Sequence, residues 1–333
     1  MEYKLKAYTI WEQGPRPKQE DAIFPEYGQA KDTDRLFVVC DGMGGHSAGE
    51  VASSTVCMAI KESIFTRCPH SEGVFTDKDF AIALNEAFLA LDAKDNGAEK
   101  KMGTTLTFLK LHVNGCTIAH IGDSRVYHIR PGRDVKDTKI LFQTTDHSLV
   151  NDLIKIGELT PEEAKYSKQK NVITRAIQPN MERRPKADLY HSSDIQPGDY
   201  FMLCSDGILE QMEDDNIKFI FSKRAGDASR KVDMLIKATE QNRDNHSAIL
   251  VQILDVIHPT VKEKQAYREA LVDNDEEVST KIRPNFASPI HRYIKFFVLL
   301  LIFVATCYVG GRMILKNSNQ AKSNIEISVQ PSK

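Results

Sequence analysis

Leu36-Phe37-Val38-Val39-Cys40-Asp41-Gly42-Met43-Gly44-Gly45-His46-Ser47-Ala48-Gly49-Glu50 is the stretch that decides the fold. Its first five residues form a continuous apolar, β-branched run and read as a buried strand. Asp41 ends the strand. Glycines follow at 42, 44 and 45, where the backbone can turn tightly and expose its polar groups. Ala48, Val51, Ala52, Val56, Ala59 and Ile60 then recur at helical spacing. Strand, acid, glycine turn and helix together hold a carboxylate rigidly at a sheet end. A solvated Asp in an ordinary turn would leave the same trace, so the rest of the chain has to decide.

Other acids occupy similar places. Asp123 ends an apolar run in IAHIGDSR, Asp206 ends another in YFMLCSDG, and Asp244 precedes SAILVQIL. Glu20 and Asp21 close the Pro-containing loop RPKQED, where Arg16 offers a planar fork suited to phosphate. Clustered carboxylates repel and are costly to bury alone. Divalent cations relieve that cost, and an all-oxygen donor set selects Mg²⁺ or Mn²⁺ over Zn²⁺.

The 333 residues suffice for a large core. A net charge of −2 argues against a general nucleic-acid binder. The six cysteines include no CxxC pair, and Cys40, Cys57, Cys116 and Cys204 lie in apolar runs. They read as buried thiols of a reducing compartment, neither disulfides nor zinc ligands.

Along the chain, residues 1–14 alternate like an edge strand and carry the single tryptophan, Trp11. Phe80, Leu84, Ala87, Phe88 and Leu91 mark a helix from Asp79 to about Asp95. TLTFLKLHV and CTIAHIGDSRVYHIR flank Asn114-Gly115, a hairpin signal, with a bulge or bend expected at Gly122-Asp123. Leu149 to Ile156 is helical. Residues 157–178 read as a polar, mobile flap that opens a helix at Thr160-Pro161, before Asn171 to Ile177 returns to the core. Residues 194–210 give a turn, a buried strand and a helix start. Ala228 to Thr239 is a helix, and residues 247–254 form the closing strand.

After about Val256 the composition changes. Residues 257–292 form a charged linker. Residues 296–311, FFVLLLIFVATCYVGG, carry no charge. Tyr293 to Leu315 is long enough to cross a bilayer if the end charges snorkel. Residues 316–333 make a short polar tail. The N-terminal residues lack an apolar signal core. The expectation is a single-pass protein of the cell membrane with its catalytic domain in the cytoplasm.

The ordered set RPKQED, VVCDGMGGHSAGE, GTTLTFL, IAHIGDSRVYHIR, TTDHS, NVITRAI, PGDYFMLCSDGILE and RDNHSAILV resembles the metal-dependent Ser/Thr protein phosphatases of type 2C, and its bacterial members most. The resemblance covers roughly residues 1–256. It implies an α+β fold, a four-layer α-β-β-α sandwich of two antiparallel sheets, with metals at one end between the sheets. It implies two Mn²⁺ or Mg²⁺ ions. Asp41 would bridge them. The Gly42 carbonyl and Glu20 would serve one ion, with Asp21 holding its water shell, and Asp206 and Asp244 would bind the other. A third ion would lie between Asp123 and Glu210, where Glu stands in place of the more usual Asp. Arg16 would grip the phosphate, and a hydroxide bridging the two ions would attack phosphorus.

Met43 stands where some relatives carry a His, which leaves His46, His147 or a metal-bound water as the acid for the leaving group. Gln178 replaces the more usual Gly after TRAI. The implied partners are phosphorylated proteins, an opposing Ser/Thr kinase and the membrane, with no nucleic acid. Two other readings stand beside the tethered phosphatase: a catalytically inactive phosphoprotein-binding scaffold, and a hydrolase of small phosphoesters.

Overall fold

The computed structural model describes residues 1–44, 48–68, 73–95, 97–98 and 101–257. His46, the 258–292 part of the linker, the expected span at 293–315 and the tail lie outside these described residues. No helix among the described residues is long and apolar enough to cross a membrane.

The elements run β1 (Glu2–Glu12), β2 (Ala22–Phe24), β3 (Leu36–Cys40), β4 (Gly42–Met43), α1 (Ala48–Arg67), α2 (Asp77–Asp92), β5 (Gly103–Thr104), β6 (Leu106–His112), β7 (Gly115–Ile121), β8 (Arg125–Arg130), β9 (Lys139–Gln143), α3 (Leu149–Lys155), α4 (Pro161–Tyr166), β10 (Asp188–Ser192), β11 (Tyr200–Cys204), α5 (Asp206–Leu209), α6 (Asp214–Phe221), α7 (Ala228–Thr239) and β12 (His246–Ile257). They build two five-stranded sheets, ordered β1-β12-β11-β8-β9 and β10-β7-β6-β3-β2, and a small β4-β5 ribbon. Every paired strand is antiparallel.

The apolar runs explain the layers. In β3, Leu36, Val38 and Cys40 pack in the cluster that holds the apolar faces of α1 and α2. Phe37 and Val39 alternate to the other face and join Phe201, Leu203 and Ile249 between the two sheets. In β11, Tyr200, Met202 and Cys204 turn outward instead, towards α6 and α7. A strand covered on both faces needs an unbroken apolar run, because side chains point alternately to either side. The result is helix, sheet, sheet, helix, as the resemblance implies. The five cysteines within the described residues are all free, four of them buried.

One expectation needs correcting. The stretch 116–130 is not a single bent arm of one sheet. β7 belongs to the sheet with β3, and β8 to the sheet with β1. The chain changes sheets at Gly122-Asp123-Ser124. Gly122 adopts φ +108°, and a Cβ there would come within 2.6 Å of Thr105. The Ser124 hydroxyl shares a buried hydrogen bond with Thr105 Oγ1 at 2.7 Å. Asp123 is therefore delivered to the seam between the sheets. Smaller differences concern length. β12 continues to Ile257, and α2 begins at Asp77 behind a Thr76–Asp79 capping box. The 157–178 segment contains α4, capped by Thr160 and Glu163, and reaches the core through Ile177, which pairs with Thr104.

Candidate metal centre

Strand ends and tight turns bring the acids together at one end of the sandwich. Asp41 leaves β3 with its backbone clamped. Its N–H donates to Thr105 Oγ1 at 2.9 Å, and its carbonyl accepts from Thr105 N at 2.9 Å and Thr104 Oγ1 at 2.8 Å. Asp206 opens α5 just after β11, and its charge bears on the Asp41 carboxyl.

Asp244 precedes β12. Its Oδ1 accepts from Asn245 N at 2.8 Å, and its Oδ2 accepts from Arg16 Nη2 at 2.5 Å. The Arg16 loop is tied down by Asn245, whose Oδ1 accepts from Glu20 N and whose Nδ2 donates to the Gln13 and Lys18 carbonyls, each at 2.8 Å. Gly42, Gly49 and Glu20 crowd one another. A Cβ on Gly42 would meet the Glu20 carbonyl at 2.4 Å, and one on Gly49 would meet Glu20 Oε1 at 2.7 Å. Only glycines let α1 and the Asp41 turn approach Glu20 this closely.

Asp21 is buried, and its Oδ2 accepts from Ser205 Oγ at 2.9 Å. Burial, reinforced by Asp206 and Asp244, pushes its carboxyl up to about 7. Burial also raises Asp123 to about 7, with Asp206 and Asp146 adding to the effect. Asp41 is driven well up by burial and then by Asp21, Asp206 and Asp123. Asp206 is raised by burial and then by Asp244. Asp123 Oδ1 is buried with no hydrogen-bond partner. An orphaned carboxylate oxygen among mutually repelling acids, with only oxygen donors, fits a hard divalent cation.

Glu210 stands apart from the others. It is exposed, and its Oε2 accepts from Arg243 N at 2.7 Å. The charged groups that act most on Asp123 are Asp206, Asp146 and Arg125, and Asp146 is itself held in a bidentate pair by Arg125 at 2.6 and 2.7 Å. Asn245, Thr104, Thr105 and Ser205 organise the site without having been singled out. Their trace in the sequence was only their adjacency to an acid or to a strand end.

A second cluster lies beside the first. His120, His147 and Asp188 have potential ligand atoms within 4.8 Å of one another. The two imidazoles stack at 4.4 Å. The His147 nitrogens, however, are both committed. His147 Nδ1 accepts from Gly122 N–H at 3.1 Å, so the neutral ring carries its proton on Nε2, 3.2 Å from Asp188 Oδ2. His120 Nε2 faces the Thr145 carbonyl at 2.9 Å and must donate. Arg175 adds positive charge, with Nη1 2.8 Å from Asp188 Oδ1. A cation on His147 Nε2 would strip its last proton or break the Gly122 bond. The cluster is a clamp on the Gly122–Asp123 turn. Burial holds His147 down to about 4, so it is neutral at pH 7 and aims its proton at Asp188, which suits bracing and not donation to a leaving group.

A family model described as "Protein phosphatase 2C" matches residues 17–255, and the chain belongs to that family. It is 36% identical over 194 residues to protein phosphatase PhpP of Streptococcus pneumoniae, covering 56% of this chain and 72% of that protein. The serine/threonine phosphatase Stp1 structure from Staphylococcus aureus matches with a TM-score of 0.60 and 32% identity over 75% of this chain and 95% of that one. The catalytic domain of the serine/threonine protein phosphatase PstP, solved in complex with two manganese ions, matches with a TM-score of 0.58 and 27% identity over 75% of this chain and 99% of that one.

Proposed function

We propose that this chain hydrolyses phosphoserine and phosphothreonine on proteins with two Mn²⁺ or Mg²⁺ ions, from a cytoplasmic catalytic domain of residues 1–256 tethered to the cell membrane by residues 293–315. The observation that carries the reading is the gathering of Asp21, Asp41, Asp123 and Asp206 at one sheet end with raised proton affinities and an unpartnered buried oxygen. The family membership and the manganese-bound relative support it. So does the presence of every acidic ligand that the resemblance implies, which an inactive scaffold would not need.

Asp41, the Gly42 carbonyl and Glu20, with Asp21 behind, would hold one ion. Asp206 and Asp244 would hold the other, and Asp123, with Glu210, a third. The ions would lower the pKa of water and offset phosphate charge. Arg16 is exposed at the rim, where its fork can exchange Asp244 for the phosphate oxygens. Asp244 holds the guanidinium in position until then. The buried floor formed by Asp21 and Ser205 keeps the acids from relaxing into solvent. The membrane tether rests on the uncharged run 296–311, and an opposing kinase follows from the substrate class.

The test is phosphate release from a phosphothreonine peptide by the full chain in detergent, with Mn²⁺, with EDTA, and in Asp41→Asn. Release that needs Mn²⁺ and disappears in the variant supports the reading. Folded protein without release in any condition overturns it in favour of the scaffold. For the tether, the full chain should sediment with membranes through alkaline carbonate washing, and Val304→Arg with Leu300→Arg should release it.

A further inference from the structure

A cavity of about 650 Å³ is lined in part by Pro17 to Gln19 and Asp21 of the loop that carries Glu20. We infer that it is a specificity pocket for a lysine or arginine side chain of the phosphoprotein substrate, close along the peptide to the phosphorylated residue. The inference rests on the phosphatase reading above. Two observations that do not depend on each other carry it.

The first is composition. Trp11, Tyr27 and Met58 line the cavity and are 42%, 58% and 42% exposed. Large apolar side chains gathered on one exposed patch mark a binding surface. Trp11 is fixed, because its Nε1 donates to the Asp21 carbonyl at 2.9 Å. Glu26 and Glu50 line the same cavity. Glu26 accepts only from the neutral amide of Gln29, at 3.0 Å, and neither carboxylate forms an ion pair among the described residues. Lys18 also contributes to the wall, as the one basic residue against these acids. Aromatic faces beside unpaired carboxylates are the surroundings that hold an ammonium or guanidinium on an apolar stem.

The second is position. Pro17, the residue after the proposed phosphate-gripping Arg16, is part of the cavity wall. Consecutive Cα atoms lie about 3.8 Å apart, and an extended peptide advances about 3.3 Å per residue. A long basic side chain about two to four residues from the phosphorylated one can therefore enter while the phosphate sits at Arg16.

The test uses the full chain in detergent and fluorescent phosphothreonine peptides carrying lysine at one of these positions, against the same peptides with norleucine. Binding is read by anisotropy in EDTA, which does not depend on turnover. The lysine peptide should bind on the order of fivefold more tightly than its norleucine partner at one position. The Glu26→Gln, Glu50→Gln double variant should abolish that difference and leave Mn²⁺-dependent hydrolysis of p-nitrophenyl phosphate unchanged. Equal binding of both peptides at every position overturns the inference and leaves an apolar pocket only. So does a lysine preference that survives the double substitution. Failure of the phosphatase reading registers separately, as absent hydrolysis of p-nitrophenyl phosphate and phosphopeptide alike.

Discussion

Two clusters of titratable groups sit side by side at the sheet seam, joined through Gly122 and Asp123, and only one of them suits a cation. The His120–His147–Asp188 group has ligand-like atoms in close array, yet both His147 nitrogens and His120 Nε2 are committed, to Gly122 N–H, Asp188 and the Thr145 carbonyl, and Arg175 pairs with Asp188 beside them. The carboxylates around Asp41 have the opposite character. Their hydrogen bonds are too few, burial raises their proton affinity, and Asp123 Oδ1 has no partner. Closeness of donor atoms does not define a metal centre. Uncommitted lone pairs and unrelieved charge do.

The largest break in this comparison is expected from Asp41→Asn. Activity should fall on the order of a thousandfold or more, since the residue proposed to bridge both ions is lost. Melting in EDTA should move the other way. Removing one acid from a repelling group relieves the metal-free protein, so its Tm should equal or exceed that of the parent, while the Mn²⁺-induced rise in Tm shrinks. A lower Tm in EDTA would mean that Asp41 is held by ordinary structural bonds.

The next effect is on pH, and its sign differs between the clusters. Asp21 and Asp123 have folded values near 7, above an unfolded carboxylate near 4. The folded state then binds more protons, so metal-free stability should fall as pH rises from about 4 to about 7, by up to roughly 8 kcal/mol for the two together. His147 is depressed to about 4 from a value near 6.5. It binds fewer protons when folded, and its share of stability should rise across about pH 4 to 6.5. With EDTA the four acids outweigh it. With saturating Mn²⁺ the acids are held ionised and the slope should reverse. Thermal melts at pH 5, 6 and 7 with and without Mn²⁺ read this directly, and parallel slopes would refute it.

His147→Ala sharpens the other half. It leaves the Gly122 N–H without a partner in a buried turn, at a cost of about 1–3 kcal/mol, a drop of several °C in Tm. Calorimetric titration should find the same number of Mn²⁺ ions bound as in the parent, with weaker binding at most where Asp123 contributes. Loss of one tight ion would restore the histidine cluster as a metal site.

β3 and β11 were legible as buried strands because they are apolar on both faces, while their assembly into four layers was implied only by the resemblance. Asp41, Asp123 and Asp206 were legible because each ends an apolar run, Asp244 because it precedes one, and Glu20 and Asp21 because they close a Pro-containing loop. The change of sheets at Gly122 was not, since the run from Cys116 to Arg130 stays apolar on both sides of it, and the separation is set by Thr105 and Ser124, which lie on different segments. β2, β9, β10 and α6 escaped notice for a related reason. The first three are short, and β9 and β10 are half exposed, so partner strands define them more than their own pattern does. The histidine clamp was equally hidden, because the tautomer that excludes a cation is fixed by a backbone N–H twenty-five positions away.

The smallest expected effect concerns Glu210, which the resemblance pairs with Asp123 and the structure turns towards the Arg243 amide. As a turn brace, Glu210 contributes one exposed charge-assisted hydrogen bond beside Asp244. Glu210→Ala should then cost no more than about 1 kcal/mol and reduce turnover by less than about fivefold, through a looser Asp244. As a ligand, its loss should remove one weak Mn²⁺ equivalent from the titration and shift the Mn²⁺ concentration needed for half-maximal rate. Glu210→Gln separates the two, because an amide oxygen can still accept from Arg243 N–H but is a poor substitute for a carboxylate on a hard cation. Parent-like metal dependence in Glu210→Gln would leave Asp123 as the acid whose free oxygen matters, and Glu210 as the residue that keeps the Asp244 turn in place.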